Sequence, residues 1–274
     1  MKGRHLTLGG LVGTALLVLV TGAVDARAAD DDAPVVVAID AGHGGTNLGA
    51  AGPARGVYEK AVTLALARRV RELLEAGKPE SDPPPGPRFS VVLCRVTDRL
   101  VAIRARARCA EESGARLFLS LHTNAVPAGV TPGSQHGFEV FVLGPREIED
   151  DAALAALHAS DDAEAVWQSH RVRVGGERSL VLARDVTDRL TRALGAEARR
   201  GIKQSGAALD VLRGAGTAAA LVEVGFLDHP EEGARLASPS GQEPIAQALA
   251  DAIRDYVRGA SPPSGSPRKS TAER

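Results

Sequence analysis

Rings, net charge and cysteine are all scarce in this chain of 274 residues. Aromatic residues make up 3%, which leaves few rings to stack on single-stranded bases or to line a sugar-binding cleft. Lys and Arg number 33 against 34 Asp and Glu, a formal charge of −1, so no global field draws nucleic acid or an anionic membrane. Nucleic acid is not expected as a partner. Beyond residue 28 no apolar run approaches the roughly 20 residues of a spanning helix. Cys94 and Cys109 are the only cysteines. An oxidising compartment would let them pair, but Cys94 ends the apolar run FSVVLC and Cys109 sits on an apparent helix, so two separately buried thiols are expected. No histidine neighbours either one in sequence, and neither reads as a nucleophile.

What is present is a hydrophobic content of 44%, enough for one large or two modest domains. Residues 1–28 have a short basic start, an apolar run from Leu8 to Val20 and the small-residue site Ala26-Arg27-Ala28, the layout of a secretory signal peptide. The alternative is an uncleaved anchor. Export to a periplasm or cell wall is the expectation. Residues 29–34 (ADDDAP) read as an acidic linker, and residues 259–274, rich in Pro, Ser and Gly, as a disordered tail.

Between these ends, strand-like runs alternate with helix-period segments, which predicts an α/β fold with a single open, mostly parallel (mixed) sheet and helices on both faces. Strands are expected at Val35 to Asp40, Phe89 to Arg95, Leu117 to His122, Gly137 to Leu143 and Ala218 to Val224, with a short one near Ala208 to Leu212. Helices are expected from Glu59 to Gly77, from about Asp98, from Leu180 to Ala198 and from Pro244 to Val257. In the second helix Leu100, Ile103, Ala107 and Ala110 form the apolar stripe, with Arg104, Arg106 and Arg108 facing away. KPESDPPPGPR reads as a surface loop.

The stretch VVVAIDAGHGGTNLGAAG, Val35 to Gly52, raises the question of a phosphate cradle. No Lys-Ser or Lys-Thr closes a Walker loop, and the third glycine of a dinucleotide fingerprint is missing. A metal site is the other functional reading, and spacing alone gives it modest support. His43 and His122 (in SLHTNA) each leave an apolar run, and in an open α/β sheet such strand ends converge at the carboxyl edge. Glu59 opens a helix, where the dipole favours its ionised form. Taken singly, each histidine is better explained by a structural role, and Glu59 by a solvated first turn. Glu223 is different: an acid between two valines in LVEVGFLDHPEE is costly to bury without a partner or a task. A buried salt bridge is its alternative.

The set IDAGHGG, GVYEKAV, TDR…IRARARCA, LFLSLHTNA, GFEVF, GIKQSGAALDVLR and LVEVGFLDHPEE, in this order over about Val35 to Val257, closely resembles the zinc-dependent N-acetylmuramoyl-L-alanine amidases of the amidase_3 type. The resemblance implies one Zn2+ per chain held by His43, Glu59 and His122, with Glu223 as the catalytic glutamate. It also implies peptidoglycan as the partner, cut between the lactyl group of N-acetylmuramic acid and L-alanine. Three protein ligands leave zinc a position for water, whose pKa then falls toward about 7. A same-fold zinc peptidase acting on another amide, or a wall-binding module without catalysis, are the alternatives. Residues 145–178, dense in carboxylates, read either as a solvated helix with a loop or, as in some amidases of this type, as a regulatory lid on which an activator protein acts. Asp40 is a candidate supporting residue or a turn residue, and Asn124 a substrate contact or a loop-shaping one. His229 is expected to shape the turn into the next helix.

Overall fold

Apolar runs without polar alternation need cover on both faces, and the sheet they build has it. The computed structural model describes residues 33–76, 87–204 and 207–259. The expected signal segment, most of the acidic linker, most of the proline-rich loop and residues 260–274 lie outside the described residues. The chain divides into Met1–Ala33 and Pro34–Arg274, and the elements below all belong to the second unit.

β1 (Val35–Ala41), β2 (Phe89–Leu93), β3 (Leu117–Asn124), β4 (Phe138–Phe141), β5 (Arg199–Lys203) and β6 (Ala218–Phe226) form one sheet in the order β2-β1-β3-β6-β4-β5. β2, β1, β3 and β6 run parallel, β4 is antiparallel to β6, and β5 is parallel to β4. The helices are α1 (Glu59–Glu75), α2 (Ile103–Glu112), α3 (Pro145–Leu157), α4 (Asp162–Leu194), α5 (Pro230–Leu236) and α6 (Pro239–Gly259).

Alternation along the strands separates two cores. Val37, Ile39, Leu117, Leu119, Leu121 and Val222 pack with Leu66 and Val70 of α1, Val186 of α4 and Ile253 of α6. The intervening Ala38, Phe118 and Ala219 meet Ala107 and Ala110 of α2 and Leu209 and Leu212 beyond it. Each large apolar side chain withdrawn fully from water contributes about 1.5–3 kcal/mol, so helices on both faces are what these strands require.

Several expectations change. Residues 207–211 form a 3-10 turn rather than a strand, and the sheet's edge is instead the charged β5, RRGIK. α2 begins at Ile103, leaving Leu100 57% and Ile103 55% exposed, while Arg106 is only 5% exposed. The third helix starts at Asp162, well before Leu180, and the last at Pro239. Cys94 and Cys109 are not separate thiols but a disulfide, with Cα atoms 5.7 Å apart. Cys94 directly follows β2 and packs with Ala107 and Ala110 of α2, which lies over the neighbouring β1 and β3, so strand end and helix come within bonding reach.

Candidate metal centre

Two parallel strand ends and the start of one helix supply the site. β1 ends at Ala41 and the chain turns sharply into His43; β3 carries His122 near its end; Glu59 is the first residue of α1. His43 Nε2 lies 3.0 Å from Glu59 Oε2 and His122 Nδ1 2.9 Å from Glu59 Oε1. One ligand atom from each of the three lies within 4.8 Å of the others. Two imidazoles and a carboxylate at this spacing fit a tetrahedral zinc ion with one position left open.

The neighbours hold each ligand. Glu59, 3% exposed, accepts hydrogen bonds from the Thr123 amide on Oε1 and the Ala50 amide on Oε2. Burial alone would raise its pKa. Hydrogen bonds from His122 and His43 outweigh that and hold the carboxyl well below the usual carboxylate range. For His43, burial opposes charge, yet the Glu59 hydrogen bond and charge raise its pKa. His43 Nδ1 donates to Asn47 Oδ1 at 2.8 Å, which fixes the ring and leaves Nε2 on the Glu59 side. Glycine is needed beside the ligands: a Cβ on Gly42 would collide with the His122 ring, and one on Gly49, at φ 69, would sit 2.5 Å from Glu59 Oε2.

Glu223 joins this group through sheet register, being paired with His122 on one side and with Glu139 on the other. Its Oε2 is buried without a hydrogen-bond partner. No salt bridge involving it is found among the described residues, so the buried-pair alternative falls away. Burial first, then the Glu59 and Glu139 charges, push its pKa up to about 7, against the opposing effect of His122. Glu139 accepts from Asn124 Nδ2 at 2.6 Å and pairs with Arg200 at 3.4 Å. Asn124 thus ties down the loop after β3. Asp40 does not reach the cluster; fully buried, it accepts from Arg106 and Ser120. Glu232 accepts the amides of Phe226 and Gly137 and so braces the turn after Glu223, and His229 caps α5.

Asn47, Arg95, Arg106, Glu139 and Glu232 had no assigned role from sequence. Arg106 lies within IRARARCA, but an arginine in a helical pattern reads as solvent-facing.

Residues 145–178 fold as α3 and the first half of α4. β4 runs against β6, so its exit, and α3 with it, falls at the sheet edge opposite the cluster. Glu149 pairs with Arg173, and Asp151 with Arg213. A cavity of about 920 Å³ lies there between α2, α3, α4 and the loop before β6; none of His43, Glu59, His122 or Glu223 lines it.

A mostly parallel sheet with a His-Glu-His cluster at its carboxyl edge, beside an acid with an unpartnered buried oxygen, is an α/β fold with a candidate metal site of hydrolase type. The family model described as N-acetylmuramoyl-L-alanine amidase matches residues 37–255, and the chain belongs to that family. It is 29% identical over 252 residues to the probable N-acetylmuramoyl-L-alanine amidase AmiB of Haemophilus influenzae, covering 83% of this chain and 53% of that one. To AmiC of Escherichia coli it is 26% identical over 242 residues, covering 82% and 53%. The chain therefore spans about half the length of these curated relatives. The solved structure of AmiC2 from Nostoc punctiforme superimposes with a TM-score of 0.61 at 27% identity, covering 82% of this chain and 97% of that one.

Proposed function

We propose that this protein is an exported zinc amidase of peptidoglycan that cuts the bond between the lactyl group of N-acetylmuramic acid and the L-alanine of the stem peptide. The observation that carries the reading is Glu223, a carboxylate with an unpartnered buried oxygen placed by register beside a His-Glu-His cluster. His43, Glu59 and His122 are the residues that would hold the ion. Bound there, zinc supplies Lewis acidity toward the amide oxygen and lowers the pKa of water.

The rest is done by the chain. Asn47 keeps the His43 ring oriented, and the Thr123 and Ala50 amides keep both Glu59 oxygens in place. Glu223, whose buried Oε2 has no other partner, is the group to take the proton of the attacking water and return it to the departing L-alanine nitrogen. Glu139 holds Asn124 beside this path.

Export through a signal peptide at 1–28 and residence in a periplasm or wall belong to the same proposal; no helix among the described residues is long and apolar enough to cross a membrane. So does an activator protein acting on 145–178. The CwlD amidase of Clostridioides difficile was solved in complex with the GerS lipoprotein. Here the segment lies away from the cluster, and an activator bound there would work at a distance, not by lifting a plug.

Digestion of purified peptidoglycan, with and without chelator, followed by mass analysis of the products, tests the reading. Free stem peptides beginning at L-alanine are expected, lost on chelation and restored by zinc. Peptides still joined to the lactyl group, with cuts elsewhere, would replace the amidase with a peptidase; no products with zinc bound would leave a wall-binding module.

A further inference from the structure

His43 is the one non-glycine residue at positive φ, 60°, among the described residues. A β-carbon makes this left-handed conformation unfavourable, so the turn that delivers the ligand needs support from outside itself. The support comes from two buried arginines. Arg106 Nη1 donates to Ala41 O at 2.8 Å and Nη2 to His43 O at 2.7 Å. Arg95 Nε donates to Ala41 O at 2.8 Å and Nη2 to Gly42 O at 2.8 Å. Three successive carbonyls at the end of β1 and the turn beyond it thus point at two arginines that are 0% and 5% exposed.

We propose that Arg95 and Arg106 are positioning residues for the metal centre, a clamp that holds the His43 turn in its ligating conformation, and that the Cys94–Cys109 disulfide ties the two halves of that clamp together. Arg95 also donates from Nη2 to Lys60 O at 2.7 Å, one residue beyond Glu59, so it joins the backbones of two ligands. Asp98 adds a third tie, accepting the Gly45 amide and the Lys60 ammonium. Asp40, bonded to Arg106 and Ser120, supplies the countercharge that makes a buried guanidinium tolerable. Cys94 directly precedes Arg95, and Cys109 follows Arg106 by three residues on α2. The disulfide therefore anchors the loop carrying one arginine to the helix carrying the other. A lysine can keep the charge at either position but cannot present the planar fork that reaches two carbonyls at once.

The inference rests on the reading of His43, Glu59 and His122 as metal ligands. Zinc dissociation constants are measured by chelator competition for wild type, Arg106→Lys, Arg95→Lys and the double variant Cys94→Ala/Cys109→Ala, with Arg108→Lys, exposed on the same helix, as control. Visible spectra of the cobalt(II)-substituted proteins and melting of the metal-free proteins are recorded alongside. Loss of an outer partner of a metal ligand typically weakens binding about 10–100-fold. That loss is expected in both arginine variants, with an altered cobalt spectrum, and a smaller loss in the cysteine variant; Arg108→Lys stays at wild type. Wild-type affinity and spectrum in folded Arg106→Lys and Arg95→Lys would overturn the clamp. Should the arginine variants fail to fold, the cysteine variant, which removes no buried charge, decides it: unchanged zinc affinity there overturns the role of the disulfide and with it the clamp as stated. Failure of wild type itself to bind zinc would instead overturn the metal reading beneath it.

Discussion

Replacing Glu223 with Gln should stabilise the metal-free protein and disable the metal-loaded one. The carboxylate goes from an ordinary pKa of 4.5 to about 7 in the fold. Between these values the folded state binds a proton that the unfolded chain has released. By linkage, stability falls as pH rises through that window and levels off above about 7. The difference amounts to at most about 3 kcal/mol, the cost of an ionised oxygen buried without a partner. Gln keeps the shape and cannot ionise. In chelator, the glutamine variant should therefore melt above wild type at pH 8, by roughly 2–4 °C per kcal/mol for a domain of this size, and the gap should close toward pH 5. Taking the difference between the two proteins cancels the other carboxylates. With zinc restored, the same variant should bind metal yet lose about 10²–10⁴-fold in turnover. A gap that does not change with pH would refute the burial argument; a wild-type rate would remove Glu223 from proton transfer.

Three further outcomes follow from contacts around the cluster. Gly49→Ala puts a β-carbon at positive φ and against Glu59; a loss of at least about 1–2 kcal/mol in denaturant unfolding is expected, together with weaker zinc binding. Asn47→Ala frees the His43 ring and should weaken zinc by about 10-fold or more, measured by competition, with little change in the metal-free melting point. Glu232→Ala leaves the buried Phe226 and Gly137 amides without their acceptor and should cost about 2–4 kcal/mol, seen as a lower midpoint in urea.

The parts of the fold that were legible in sequence are those whose signal is local. β1, β3 and β6 announce themselves as apolar runs, and α1 by its apolar spacing. β5 has no such signal: RRGIK is a charged edge strand that exists because β4 offers it a ladder. The first half of α4 is polar and contains Gly175-Gly176, which reads as a break; in the fold this stretch packs against the Thr217 backbone and Ile148. At the site, the His43-Glu59-His122 cluster was readable because metal chemistry restricts the residue types that can build such a group. Arg95 and Arg106 were not, since their partners are backbone carbonyls, which any residue supplies. The pairing of Cys94 with Cys109 depends on where α2 lies over β1 and β3, and fifteen residues of spacing do not reveal that.

The course of α4 runs from the far edge of the sheet to the strand next to the register partner of Glu223. At 1.5 Å per residue its 33 residues span about 50 Å. It passes the start of β6, where Ser179 Oγ accepts the Ala219 amide, and hands over at Gly195 to β5. Arg200 on that strand pairs with Glu139, the register partner of Glu223. The helix thus joins the α3 hairpin at one end to the strand that grips Glu139 at the other. A ligand gripping the hairpin could change the site only through a coupling free energy carried along this arm, and occupancy of the site would change the grip by the same factor.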